Sequence, residues 1–135
     1  MRQVLVAAPE ESVREAARRM QKADVGALVV VDSEQRPLGV LTDRDVALRC
    51  VADGRDPERT KISDLMTAPA VCVHEETPIE DALSRMLAIP ARRLVVTDDA
   101  GLLVGILALD DVAELLAEES GQIGRLLARR RSPGA

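Results

Sequence analysis

Apolar residues recur with a helical period in two segments of the chain. Side chains at i, i+3, i+4 and i+7 line one face of a helix of about three turns. They are Val13, Ala16, Ala17 and Met20 in the first segment, and Ile79, Ala82, Leu83 and Met86 in the second. Each segment opens with a capping-box sequence, Ser12–Glu15 or Thr77–Glu80, and Pro78 stands at the first helical position of the second. The pattern predicts two amphipathic helices.

Short continuous apolar runs flank both helices and are typical of buried strands. They are Val4–Ala7, Ala27–Val31 and Leu38–Leu41 in the first half, and Val71–Val73, Leu94–Thr97 and Leu102–Leu107 in the second. Polar turns at Asp32–Pro37 and Asp98–Gly101 separate the last two runs of each half, which we expect to form hairpins. A further helix is expected to begin near Thr42 in one half and near Leu109 in the other.

The two halves of the chain are related by an internal repeat. At an offset of 66 residues, Ser12–Ala47 aligns with Pro78–Ala113 without a gap, and 12 of the 36 pairs are identical. Two copies are too few for a solenoid. We therefore predict an α/β (α+β) fold of two pseudo-symmetric β-α-β-β-α repeats packed as one module. The predicted boundaries are 1–53 for repeat 1, 54–66 for a linker, 67–119 for repeat 2 and 120–135 for a C-terminal helix and tail.

Composition excludes several classes of partner. The 135 residues contain no Phe, Tyr or Trp and carry a net charge of −5, so neither base stacking nor phosphate-backbone binding is expected, and we predict no nucleic-acid partner. No apolar run approaches the length of a membrane span, and we predict no membrane partner. Two cysteines, Cys50 and Cys72, without a secretory signal favour a cytoplasmic location.

Four segments together resemble a tandem pair of cystathionine-β-synthase (CBS) domains, the Bateman module. They are Gly26–Asp32 and Pro37–Asp45 in the first copy, and Arg92–Asp98 and Val104–Asp111 in the second. The family pattern is Gly, two apolar residues, Thr or Ser, two variable residues and Asp. The first copy fits it with Thr42 and Asp45, whereas the second has Ala108 in the Thr position and keeps Asp111. The resemblance covers residues 1 to about 119.

The resemblance implies that the clefts between the repeats bind an adenosine-containing ligand such as AMP, ADP, ATP or S-adenosylmethionine. It implies that Asp45 accepts hydrogen bonds from ribose hydroxyls, that Thr42 lies near ribose and phosphate, and that Asp111 serves the other cleft. Because the chain lacks aromatic residues, adenine would lie on aliphatic walls, for which Val25 and Ala27 are candidates. The alternative for Asp45 is a capping role alone, since Thr42–Asp45 also fits the capping-box pattern. Asp110 is an alternative cap in the second copy.

Three arginines are candidates for phosphate contacts. Arg92 and Arg93 precede a predicted strand, at a place where many CBS repeats carry a phosphate-binding residue; the alternative is a solvated or salt-bridged pair. Arg44 lies in the first turn of a helix, where a positive charge is unfavourable unless an anion is near. The sequence leaves open which cleft the pair faces. We expect the cleft of Thr42 and Asp45, and hence one tightly bound nucleotide per chain.

The remaining chemistry is sparse. Cys72 and His74 share one face of a strand, but zinc requires two more ligands, so a buried thiol and a surface imidazole is the simpler interpretation. His74 is the only histidine, which leaves little scope for acid–base catalysis, and we predict that the protein is not an enzyme. We predict a homodimer that senses an adenine nucleotide and signals to a partner protein; a ligand-free dimerising adaptor is the alternative.

Overall fold

The computed structural model describes residues 4–89 and 91–120, with side chains up to Glu114. The strands are β1 (Val6–Ala7), β2 (Ala27–Val31), β3 (Pro37–Thr42), β4 (Cys72–His74), β5 (Arg93–Thr97) and β6 (Leu103–Ala108). The helices are α1 (Val13–Ala23), α2 (Asp43–Asp45), α3 (Ile62–Leu65), α4 (Ile79–Ala88) and α5 (Leu109–Ser120). A π-helical segment, Val46–Val51, continues α2. The order confirms the predicted mixed α+β fold of two repeats. The helix predicted after Gly121 and the tail lie outside the described residues.

Each repeat forms its own three-stranded sheet, β1-β2-β3 in the first and β4-β5-β6 in the second. In both, the central strand pairs in parallel with the first strand and antiparallel with the third. The hairpin turns are fixed by the same device. Asp32 Oδ1 accepts hydrogen bonds from backbone N–H groups two and four residues further on, at 2.8 and 2.9 Å, and Asp98 Oδ1 does the same at 2.9 and 3.0 Å. This explains why the aspartate recurs at the 66-residue offset.

Alternate residues of the central strands face different cores, as the two-residue period of a strand requires. One face of each sheet packs on its own helices. Val30 lies in the core of repeat 1 and Val96 in that of repeat 2. The opposite faces meet each other, with Val29 and Val95 fully buried between the sheets. This inter-sheet core joins the repeats into one module.

Gly39 lets the segment before β4 approach the first sheet closely. Val40 and Thr67 exchange two backbone hydrogen bonds, with N···O distances of 3.0 and 2.9 Å. A Cβ atom on Gly39 would lie 2.7 Å from the Thr67 carbonyl oxygen, closer than real Cβ atoms come. The glycine of the repeated motif therefore has a steric role here, and it sets Thr67 beside the end of β3.

The segment predicted as a linker, 54–66, contains a helix that the sequence did not indicate. Ile62 and Leu65 of α3 are fully buried and belong to the core of repeat 1. The preceding backbone is tied to α1, because the Val13 N–H donates to the Thr60 carbonyl at 2.9 Å. Residues 60–65 therefore pack as part of repeat 1 rather than as an exposed connection.

The two predicted capping boxes have different outcomes. Ser12 caps α1, since its Oγ accepts the Glu15 N–H at 3.1 Å. The Thr77 cap is wrong: α4 begins one residue later than a Thr77 cap requires, with Pro78 in the cap position and no side-chain cap bond. The Thr77 N–H instead donates to the His74 carbonyl at 3.0 Å, which closes a turn before the helix. Thr77 thus belongs to the turn before α4 and does not cap the helix.

The contrast between Ser12 and Thr77 gives a matched test of this assignment. Ser12→Ala removes a hydrogen bond to an N-terminal N–H of α1 and should lower the free energy of unfolding by about 0.5–2 kcal/mol. Thr77→Ala removes a hydroxyl without such a bond and should change it by less than about 0.5 kcal/mol. Urea unfolding of the two variants measures both values. Equal losses would contradict the assignment.

Candidate functional site

A cavity of about 500 Å³ lies between the two repeats. Its wall is formed by the ends of β3 and β6, the first turns of the helices α2 and α5 that follow them, the segment before β4 and the residues at the start of β5. The lining residues are Val40, Thr42, Asp43, Arg44, Thr67, Pro69, Ala70, Val71, Ala91, Arg92, Arg93, Ala108, Leu109 and Asp110. The size is that of a typical small-molecule site. The cavity exists only because the two sheets pack together.

Thr42 and Asp45 form a capping box at the end of β3. Thr42 Oγ1 accepts the Asp45 N–H at 3.1 Å, and Asp45 Oδ2 accepts the Thr42 N–H at 3.0 Å. The Asp45 side chain is 12% exposed, with Oδ1 3.9 Å from Nε of Arg49. Thr42 lines the cavity, whereas Asp45 is not among its lining residues. The structure therefore shows the capping contact that the sequence offered as the alternative to ribose binding.

The second repeat forms the same turn without the hydroxyl. Asp111 Oδ2 accepts the Ala108 N–H at 3.1 Å, as Asp45 does for Thr42. Ala108 and Asp110 line the cavity beside the Thr42 turn, so the two turns face a single space. Asp111, and not the alternative Asp110, supplies the carboxylate that holds this turn. The aspartate common to both copies thus has a structural use in each.

Three guanidinium groups from the two repeats line this one cavity. Arg44 comes from α2, Arg92 from the loop before β5, and Arg93 from the first position of β5. None of the three forms an ion pair with a residue that the structure describes. Nε of Arg93 is buried and has no hydrogen-bond partner among the described residues. The structure therefore brings Arg92 and Arg93 to the cavity of Thr42 and Arg44.

A buried N–H donor without a partner is costly, because the group has lost its hydrogen bonds to water. An anion in the cavity would lie beside the Arg93 side chain, and a planar guanidinium is suited to phosphate and carboxylate oxygens. Arg44 and Arg92 are exposed on the same wall and can approach the same anion.

The apolar part of the wall differs from the one proposed from the sequence. Val25 packs against the core of repeat 1 and Ala27 against the inter-sheet core, and neither lines this cavity. The aliphatic surface comes instead from Val40, Pro69, Ala70, Val71, Ala91 and Leu109. Segment 67–71 was missed because it carries no polar motif. The one indication of this segment in the sequence is indirect: Gly39 in β3 permits the close approach of another backbone.

Cys72 and His74 do not form a reactive pair. Burial raises the pKa of the Cys72 thiol, partly offset by the charge of Arg85, so the thiol is protonated at neutral pH. His74 Nδ1 accepts the Glu76 N–H at 3.0 Å, and Nε2 lies 2.5 Å from Asp99 Oδ1. Within residues 4–89 and 91–120, no group of three His, Cys, Asp or Glu side chains is placed to hold a metal ion.

No helix in the described part of the chain is long and apolar enough to cross a membrane.

The CBS-domain family model matches residues 1–51 and 62–118. These two matches coincide with the internal repeat and account for most of the chain. The protein belongs to the CBS-domain family. The expected resemblance is therefore confirmed, and the cavity described above lies between its two CBS domains.

Relatives and solved structures agree with this assignment. The CBS domain-containing protein YhcV of Bacillus subtilis is 43% identical over 112 residues, which cover 82% of this chain and 77% of that protein. An uncharacterized protein of Methanopyrus kandleri, MK0525, is 31% identical over 84% of this chain, and the match spans 58% of its length, less than two thirds. The CBS domain protein PAE2072 of Pyrobaculum aerophilum, solved in complex with AMP, superposes with a TM-score of 0.74 at 28% identity, covering 82% of this chain and 84% of that one.

Proposed function

We propose that this CBS-domain pair binds an adenine nucleotide in the cavity between its repeats and thereby regulates a partner protein. One observation carries the proposal: three arginines from both repeats converge on one cavity without ion-pair partners, and Nε of Arg93 is buried and unsatisfied. The AMP complex of PAE2072 supports an adenine nucleotide as the ligand class. ADP, ATP and S-adenosylmethionine are further candidates, of which S-adenosylmethionine has no phosphate for the arginines.

The phosphate would bind among Arg44, Arg92 and Arg93. Arg93 contributes most, because it is the partly buried member and water screens it less than the exposed pair. A charge-assisted hydrogen bond to a phosphate oxygen is worth about 1.5–3 kcal/mol, whereas an exposed charge contributes less. The base would lie on the aliphatic wall formed by Val40, Ala70 and Leu109, since the chain has no aromatic side chain to stack on it.

The ribose would lie beside the Thr42 turn. Asp45 already accepts the Thr42 N–H, but a carboxylate has further acceptor positions, and the Asp45 side chain remains partly exposed. Asp45 is not among the lining residues, so in this proposal it holds the turn and accepts the ribose hydroxyls only through the part of its carboxylate that remains exposed beside the cavity. Arg92 and Arg93 line the same cavity as Thr42. In this proposal the phosphate therefore binds in the cavity next to the first repeat, which is the repeat with the complete Thr–Asp motif. We propose one tightly bound nucleotide per chain.

Regulation follows from where the ligand would bind. The nucleotide would contact both repeats, so it would favour the arrangement in which they lie close together, and a partner protein could distinguish the two arrangements. The proposed role is therefore regulatory rather than catalytic. The two cysteines are free thiols, and we place the protein in a reducing cytoplasm.

A ligand-free adaptor is the second candidate function. It is favoured by large apolar side chains exposed on the helices: Leu48 and Val51 on the π-helical segment, and Leu87 at the end of α4. Thermal unfolding with AMP, ADP, ATP, S-adenosylmethionine and NAD separates the two functions. AMP at 100 times its Kd should add about 2.7 kcal/mol to the free energy of unfolding. No stabilisation by any of the five would favour the adaptor.

Arg93→Ala tests the phosphate site. We expect AMP affinity to fall about 10- to 100-fold while adenosine affinity changes little, because adenosine lacks the phosphate. Arg59→Ala is the matched control, since Arg59 is 89% exposed and lies outside the cavity wall. Isothermal titration calorimetry measures the affinities for AMP and adenosine of the parent and of both variants. Equal losses for AMP and adenosine would mean that Arg93 shapes the fold instead.

Asp45→Asn tests the ribose contact separately from the cap, because the amide oxygen can still accept the Thr42 N–H. In the parent protein, 2′-deoxy-AMP should bind about 2- to 10-fold more weakly than AMP. In the variant the two affinities should become nearly equal. Asp111→Asn is the control and should leave the ratio unchanged. If Asp45→Asn still binds AMP more tightly than 2′-deoxy-AMP by the same factor as the parent, Asp45 does not contact the ribose and serves only as a cap.

We also propose that the protein is a homodimer of about 29 kDa, twice the chain mass of 14.5 kDa, formed through its exposed apolar helical surface. Burying a large apolar side chain contributes about 1.5–3 kcal/mol, so charges there should dissociate the dimer. Sedimentation velocity should give a dimer for the parent and a monomer for the Val51→Asp, Leu87→Asp double variant. Val104→Asp, at the exposed position of β6, should stay dimeric. A monomeric parent at micromolar concentration would contradict the proposal.

A further inference from the structure

The cavity wall carries two carboxylates beside its three arginines. Asp43 follows Thr42 in the first turn, and Asp110 follows Leu109 in the second. They are not repeat equivalents: at the 66-residue offset Asp43 corresponds to Leu109, and Asp110 corresponds to Arg44. Opposite charges therefore occur at one matched position, Arg44 and Asp110, and the nominal charge of the lining is three positive and two negative, or +1.

Neither carboxylate is neutralised by an ion pair with a described residue. Asp43 is also held in place. Its Oδ1 accepts the Arg44 N–H at 2.8 Å, and its own N–H donates to the Gly26 carbonyl at 2.9 Å. A Cβ atom on Gly26 would lie 3.1 Å from Asp43 Oδ2, so the glycine leaves space for this carboxylate. The negative charge is thus fixed at the edge of the arginine cluster.

We propose that Asp43 and Asp110 make this cavity selective for a nucleoside monophosphate over the di- and triphosphates. The inference rests on the nucleotide site proposed above. A monophosphate carries a charge of about −1.5 to −2 at neutral pH and is matched by the three arginines. Each further phosphate adds negative charge to a wall whose remaining charged groups are the two carboxylates. Like charges placed together are unfavourable and serve to exclude the wrong ligand.

Titration calorimetry with AMP, ADP and ATP, in buffer containing EDTA, tests the selectivity. The parent should bind AMP about 5- to 25-fold more tightly than ATP, the combined effect expected of two exposed charges. Asp43→Asn and Asp110→Asn should each raise ATP affinity about 2- to 5-fold and leave AMP affinity within about 3-fold. The double variant should lose most of the preference. Asp53→Asn, an exposed aspartate outside the cavity wall, makes the same change in net charge and should alter neither affinity.

The outcomes separate this inference from the nucleotide site itself. If no adenine nucleotide binds, both are wrong. If AMP and ATP bind equally and the asparagine variants change nothing, the site stands and the selectivity is wrong. The same titrations with MgCl2 provide a further test, because carboxylates are ligands that Mg²⁺ prefers. Tighter binding of MgATP than of AMP, lost in Asp43→Asn or Asp110→Asn, would show that the carboxylates recruit a cation and would overturn the proposal.

Discussion

The face-to-face packing of the two sheets is the constraint on which the rest of the molecule depends. Val29 and Val95 occupy the middle of the central strands and are fully buried between the sheets. Each such valine contributes about 1.5–3 kcal/mol of hydrophobic free energy. Since the sheets are bound together through these side chains, the ends of β3 and β6 lie near each other. The turns that follow them therefore face one cavity rather than two unrelated surfaces.

The two repeats differ in the residues that line the cavity. The structural parts of the repeat are kept: Asp32 and Asp98 fix the hairpin turns, and Asp45 and Asp111 hold the turns after β3 and β6. The cavity-lining positions differ, because Thr42 corresponds to Ala108 and Arg44 to Asp110, while Arg92 corresponds to Gly26, which does not line the cavity. A pseudo-symmetric scaffold thus presents an asymmetric wall, which is consistent with the single ligand site proposed above.

Local sequence patterns predicted what depends on local physics. The strands from Ala27 and from Leu94 were found within one residue, because continuous apolar β-branched runs have few alternatives when both faces are buried. The Thr77 cap was wrong because Pro78 takes the cap position of α4 and the Thr77 N–H belongs to a turn with His74. Helix α3 was missed because four residues carry too little periodicity. The cavity wall around Ala70 and Val71, like the π-helical segment after Asp45, depends on tertiary contacts that no sequence window contains.

The central claim is that a phosphate held between the repeats binds the Arg93 guanidinium. Proton–nitrogen NMR of the Arg93 Nε–H group tests it directly, with the resonance assigned by its loss in Arg93→Lys. The account predicts that AMP moves this resonance because its phosphate binds the Arg93 guanidinium, whereas adenosine leaves it in place. Saturation with AMP without movement of the Arg93 resonance, or an equal movement with adenosine, would contradict the account.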